Sequence, residues 1–107
     1  MIIIKEFTTD TGRSPFQEWF DRLDAQAAAK ITTMLYRLSL GNTSQVKSLG
    51  SGVFEIKIDF GPGYRIYFSY EDVTIVILLG GGTKQGQQRD VKQAKKRWED
   101  YKKCKLH

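Results

Sequence analysis

The chain has 107 residues, of which 40% are hydrophobic and 12% aromatic. That supports one cored domain spanning residues 1–107 and leaves no room for a second. It also excludes a disordered chain, which combines low hydrophobicity with high charge. The single cysteine, Cys104, excludes an internal disulfide and leaves too few soft ligands for a zinc site.

No apolar run reaches the ~18 residues of a membrane span. Met1–Phe7 contains three consecutive isoleucines but lacks the layout of a signal peptide, and it reads as a strand. A reducing cytoplasm and no membrane partner are therefore expected. The net charge of +5 is unevenly spread. Residues 84–107 carry nine basic and three acidic side chains, whereas the other 83 carry eight and nine. A basic C-terminal segment of this kind suits a polyanion, an acidic protein partner or a solvated helix face.

Taken in order, the first element is a strand from Met1 to about Thr8. Ser14-Pro15-Phe16-Gln17 then opens a helix, with Ser14 as cap, Pro15 at the first helical position and Gln17 completing a capping box. Phe16, Trp19, Phe20 and Leu23 lie on its buried face. Asp24 caps a second helix to about Ser39, with Ile31, Leu35 and Leu38 on one stripe and Gly41 as its stop. The short join makes the pair a helical hairpin.

Residues 42–52 read as a polar, Gly-rich loop. Val53–Phe60 alternates, with Phe54, Ile56, Ile58 and Phe60 on one face and Glu55, Lys57 and Asp59 on the other. After the Gly61-Pro62-Gly63 turn, Tyr64–Tyr70 alternates again, placing Arg65, Tyr67 and Ser69 together. Glu71-Asp72 is the next turn. Val73–Leu79 is nearly all apolar, as a central strand covered on both sides would be, and Gly80-Gly81-Gly82 ends it. A final helix runs from about Gln87 to Lys103, held down by Trp98. The class is α+β, ordered β-α-α-β-β-β-α, with a mainly antiparallel sheet. Helices on one side would leave part of its other side open.

The stretches Leu49-Gly50-Ser51-Gly52-Val53-Phe54-Glu55-Ile56-Lys57-Ile58 and Phe60-Gly61-Pro62-Gly63-Tyr64-Arg65-Ile66-Tyr67-Phe68 resemble the HigB-like branch of the RelE/ParE toxins, phage-derived addiction-module killer proteins. Gly80-Gly81-Gly82-Thr83-Lys84, Gln88-Arg89-Asp90 and Ala94 with Trp98 resemble that branch's closing pattern, and Phe16, Trp19 and Leu23 its opening. The resemblance implies a RelE-like fold and a cognate antitoxin, usually a helix-turn-helix protein. It also implies cleavage of mRNA, commonly on the translating ribosome. ParE-like relatives instead inhibit DNA gyrase, and a non-catalytic module that binds nucleic acid or antitoxin is a further reading; fold alone does not separate these.

Cleavage of RNA by internal transfer needs a base for the 2′-hydroxyl, cations for the phosphorane and an acid for the leaving oxygen. The only histidine, His107, is the last residue, so no histidine pair can act. No carboxylate cluster suggests a metal, the glycine run is not a P-loop, and no metal or cofactor is expected. A metal-independent endoribonuclease must then use Lys, Arg, Tyr or Glu, and the active sites of the RelE family are rich in such residues.

Arg65 matches the family's strand arginine and could clamp a phosphate with two hydrogen bonds; its bland alternative is a salt bridge to Glu55. Lys57 could hold phosphate or move protons, and Glu55 could be the base or merely neutralise Arg65. Tyr67 could stack on a base, donate a proton or serve only as cross-strand packing. Lys84 and Arg89 follow the glycine run, where cations and backbone amides can meet a phosphate. Lys92, Lys95 and Lys96 could grip RNA or the ribosome, or simply be solvated. The family commonly adds a C-terminal tyrosine or histidine that does not align here, although Tyr101 is available. Trp98 reads as core and Cys104 as incidental. Acidic antitoxin segments would complement the Arg65 face.

Overall fold

The computed structural model describes residues 1–105. Its elements are β1 (Ile3–Glu6), α1 (Pro15–Asp21), α2 (Ala25–Ser39), β2 (Val46–Gly50), β3 (Val53–Ile58), β4 (Tyr64–Asp72), β5 (Ile75–Thr83), a 3-10 turn (Lys84–Gly86) and α3 (Gln87–Lys105). The five strands form one sheet ordered β1-β5-β4-β3-β2, antiparallel except for the parallel β1–β5 pair. This is the expected α+β arrangement with one strand more.

The added strand is β2, which lies inside the expected 42–52 loop. It is an edge strand, held by backbone pairing to β3 with a register shift between Ser48 and Gly50. Val46 packs into one core and Leu49 into the other. With its two apolar residues on opposite faces, the segment carries no alternation that a hydrophobic pattern could betray.

Both helix starts follow from their caps. The Ser14 hydroxyl accepts the Gln17 amide N–H at 3.1 Å, and the Asp24 carboxylate accepts that of Ala27 at 2.8 Å. Gln17 does not close a capping box: its side-chain amide donates forward to Asp21 at 2.7 Å, while the Ser14 hydroxyl donates to Glu6 at 2.6 Å. After α2 the chain reverses at Gly41, whose φ of +89° is the left-handed conformation glycine adopts without a Cβ penalty.

The α1–α2 hairpin covers one face of the sheet, burying Phe16, Ile31 and Leu38 against Ile56, Ile66, Phe68, Val76 and Leu78. The other face is not left open. Helix α3 lies across it, with Val91, Ala94, Trp98 and Tyr101 packed on Phe7, Val53, Tyr67, Ile77 and Leu79. These four residues recur at intervals of three and four, an apolar stripe just wide enough to seat an otherwise polar helix.

Two strand ends differ from the sequence pattern. The turn after β4 falls at Val73-Thr74, because the Asp72 carboxylate accepts both the amide (2.7 Å) and the hydroxyl (2.8 Å) of Thr74. Strand β5 also continues through Gly80, Gly81 and Gly82 to Thr83, opposite Tyr67, Ile66, Arg65 and Tyr64. Those glycines leave room for neighbours. A Cβ on Gly81 would fall within the Trp19 ring of α1, and one on Gly82 would meet the Asp90 carboxylate of α3.

Candidate functional site

Alternation on β3 and β4 sets Glu55, Lys57, Arg65 and Tyr67 on the α3 side of the sheet, with Lys57 opposite Arg65 and Glu55 opposite Tyr67. Arg65 is 5% exposed, Glu55 3% and Tyr67 1%. Only Lys57 reaches solvent. The Arg65 Nε stands 3.6 Å from Glu55 Oε2, an ion pair too long for a good hydrogen bond. Among the described residues neither Arg65 Nε nor Nη1 has a hydrogen-bond partner, and the Tyr67 hydroxyl has none. Burial, with the nearby Asp90 and Glu55 carboxylates, pushes the Tyr67 phenol above the ordinary tyrosine range.

What covers this cluster is the start of α3. Gln87 Nε2 donates to Glu55 Oε2 at 3.2 Å. Asp90 lies on the backbone of Gly82, the register partner of Arg65. Burial raises the Asp90 carboxyl above the ordinary aspartate range, against the pull of Arg89 and Arg97. Two turns on, Arg97 Nη1 donates to the Leu79 carbonyl at 3.0 Å. Burial lowers the Arg97 pKa.

Lys84 and Arg89 belong to a second assembly. They line an open groove of about 1020 Å³ bounded by α1, the Gly81–Gly86 backbone and α3. Arg22, Arg97 and Asp90 line it as well, whereas Lys57, Arg65, Tyr67 and Glu55 do not. The two groups meet at Gln87, which lines the groove and bonds to Glu55, and at Gly82 and Asp90, which line it beside Arg65.

The remaining sequence candidates spread along α3. Lys92 and Lys96 are exposed and Lys95 half-buried. Tyr101 is occupied: its hydroxyl bonds to Glu71, which also pairs with Lys105 at 3.4 Å. Trp98 is core, stacked with Tyr101 at 5.6 Å, and Cys104 is exposed. His107 lies outside the described residues.

Sequence reasoning missed Gln87, Asp90 and Arg97. Their signal was present: Asp90 and Arg97, seven residues apart, share a helix face, and Gly82 and Gly80 sit on the strand they would cover. Among the described residues no three His, Cys, Asp or Glu side chains gather as a metal site would require, and no helix is long and apolar enough to cross a membrane.

An α+β sheet whose cationic strand face is capped by a basic C-terminal helix defines the class. Residues 18–99 match the family model described as Phage derived protein Gp49-like (DUF891), and the chain belongs to that family, a toxin-like family related to the RelE/ParE addiction modules. An uncharacterized protein of Haemophilus influenzae (strain Rd) is 44% identical over 81 residues, covering 75% of this chain and 82% of its own length.

Proposed function

We propose that this chain is the toxin of a type II toxin–antitoxin pair and that it breaks mRNA on translating ribosomes, as the HigB-like branch does. The observation that carries the reading is the Arg65 guanidinium, buried with Nη1 unpartnered among the described residues and Nε held only by the long 3.6 Å ion pair to Glu55. A buried donor left unsatisfied costs about 1–3 kcal/mol. Donors kept at that cost beside Glu55, Tyr67 and Lys57 suit a group that completes its bonds on a phosphate.

In this reading RNA meets the exposed Lys57, Lys84 and Arg89 first. The Lys84–Asp90 segment swings outward for the scissile phosphate to reach Arg65. Arg65 and Lys57 then neutralise the phosphorane, Glu55 accepts the 2′-hydroxyl proton, and Tyr67 donates to the leaving oxygen. Tyr67 can fill the acid role because a tyrosine is protonated at neutral pH and the leaving alkoxide is the stronger base. Lys92, Lys95 and Lys96 hold ribosomal RNA by its phosphates. The partners are a helix-turn-helix antitoxin, mRNA and the ribosome, and the setting is the cytoplasm.

Induced expression in a bacterial host, with 5′ ends mapped on total RNA, tests this. Growth arrest, new mRNA ends, and relief of both when the neighbouring gene is co-expressed are expected. Arrest with intact mRNA and a loss of DNA supercoiling would replace the nuclease with gyrase inhibition, and undisturbed growth would remove the toxin.

A further inference from the structure

Two cations of the open groove have no task in the fold. Arg22 follows the last residue of α1 and Lys84 begins the 3-10 turn. Both are exposed, and neither has an ion-pair partner among the described residues. The two acids of the same groove are largely spoken for. Glu18 is gripped by Arg13 through bonds of 2.7 and 3.0 Å, and Asp90 is packed on Gly82 beside Arg89, at 3.8 Å. The groove's free charge is therefore positive.

Its hydrogen-bonding groups are neutral amides. Gln85, Gln88 and Gln93 line it, and none makes a side-chain hydrogen bond among the described residues. Each offers a donor and an acceptor, the pairing a base edge needs. The half-buried Trp19 adds an apolar wall against which a base plane can lie. An acidic polypeptide would engage the cations and leave the three amides and the indole unused. A nucleic-acid duplex would keep its base edges stacked away from them. An unpaired strand of RNA satisfies all three kinds of group at once.

We propose that this groove binds single-stranded RNA, with Arg22, Lys84 and Arg89 on phosphates and Gln85, Gln88 and Gln93 on base edges. It is a track beside the buried Arg65 cluster, joined to it through Gln87 and Asp90. The inference rests on the RNA reading above and adds where the strand runs and which side chains choose its sequence. Arg22 and the glutamines lie outside the cleaving set, so they govern affinity and base preference and leave the chemistry to Arg65 and its neighbours.

The test is fluorescence anisotropy with a labelled, unstructured RNA of about ten nucleotides, within the usual range of a strand-binding groove. Arg22→Ala and Lys84→Ala are each expected to weaken binding about 3–10-fold and to reduce the slope of log affinity against log salt by about 0.7, one phosphate contact each. Gln88→Ala should alter preference among RNA sequences with the slope unchanged, and Lys47→Ala, on the distant β2 edge, should bind as wild type. Unchanged binding by both Arg22→Ala and Gln88→Ala overturns the proposal, as does equal affinity for duplex RNA or for DNA of the same sequence, or no binding by the wild type. An oligomer held through Arg22 by a protein that breaks no mRNA would retire the nuclease and keep the groove. Breakage of mRNA with the groove variants binding normally would do the reverse.

Discussion

The Tyr67 hydroxyl gives the cleanest single-atom test. It is buried on the α3 side of the sheet, has no hydrogen-bond partner among the described residues, and feels the charges of the Asp90 and Glu55 carboxylates. Tyr67→Phe removes that oxygen and leaves the ring in its packing, so the folded state loses an unsatisfied dipole and little else. Relief of an orphaned buried polar group is worth about 1 kcal/mol at the low end. In a chain of this length that raises the melting temperature by about 4 °C.

The gain has a defined pH dependence. The folded-state phenol is held above its ordinary pKa, so above about pH 10 the unfolded state loses the proton first and the wild type loses stability as pH rises. Phenylalanine has no such loss, and the advantage of Tyr67→Phe should be flat through neutral pH and widen above that point. Scanning calorimetry of both proteins across pH reads this directly. A lower melting temperature for Tyr67→Phe at neutral pH would refute the reasoning, because it would mean that the hydroxyl is bonded. On the proposed function the same variant loses toxicity while gaining stability, and a fully toxic Tyr67→Phe would take Tyr67 out of the acid role.

Three further outcomes follow, two from the same cluster and one from the contact of β5 with α1. Arg65→Met leaves Glu55 charged and buried, so it should lower unfolding free energy by roughly 3 kcal/mol, and adding Glu55→Gln should return more than half of that in denaturant titrations. An additive double mutant would show that the pair is uncoupled. Asp90 is held above its ordinary pKa by burial, so its ionisation costs stability as pH rises through the carboxylate range. Asp90→Asn should therefore melt higher than wild type at neutral pH, with the difference shrinking below about pH 3. A gain that persists unchanged in acid would place the effect elsewhere. Gly81→Ala would drive a methyl into the Trp19 ring and should cost about 1–3 kcal/mol by displacing α1, and an unperturbed melt would mean that the contact yields freely.

Much of the fold was legible because local chemistry and burial agree. The Ser14 and Asp24 caps start the helices where the sequence places them, and Phe54, Ile56, Ile66 and Phe68 share the face their alternation assigns. Strand β2 was hidden because backbone pairing holds it and no apolar alternation marks it. The glycine run was read as a strand end because glycine usually breaks a strand. Here it continues β5 because Trp19 and Asp90, from elements more than sixty residues apart, need the space.

The site was legible in part for a related reason. Alternation put Glu55, Lys57, Arg65 and Tyr67 on one face, but only the three-dimensional seating of α3 shows that three of the four lie under it. The stripe Val91, Ala94, Trp98, Tyr101 was the available sign, obscured by the lysines between its members. Gln87, Asp90 and Arg97 matter through what they touch, and spacing in the chain does not reveal that.

The central claim is tested most directly by primer extension on a reporter mRNA in a purified translation system, with wild type, Lys57→Ala and Arg65→Lys added in parallel, after circular dichroism has established that each variant is folded. Breaks that require both ribosomes and the wild-type protein, and that fall away in both variants, are the predicted result. Intact mRNA in every lane, from a wild-type protein that still arrests growth, would contradict it.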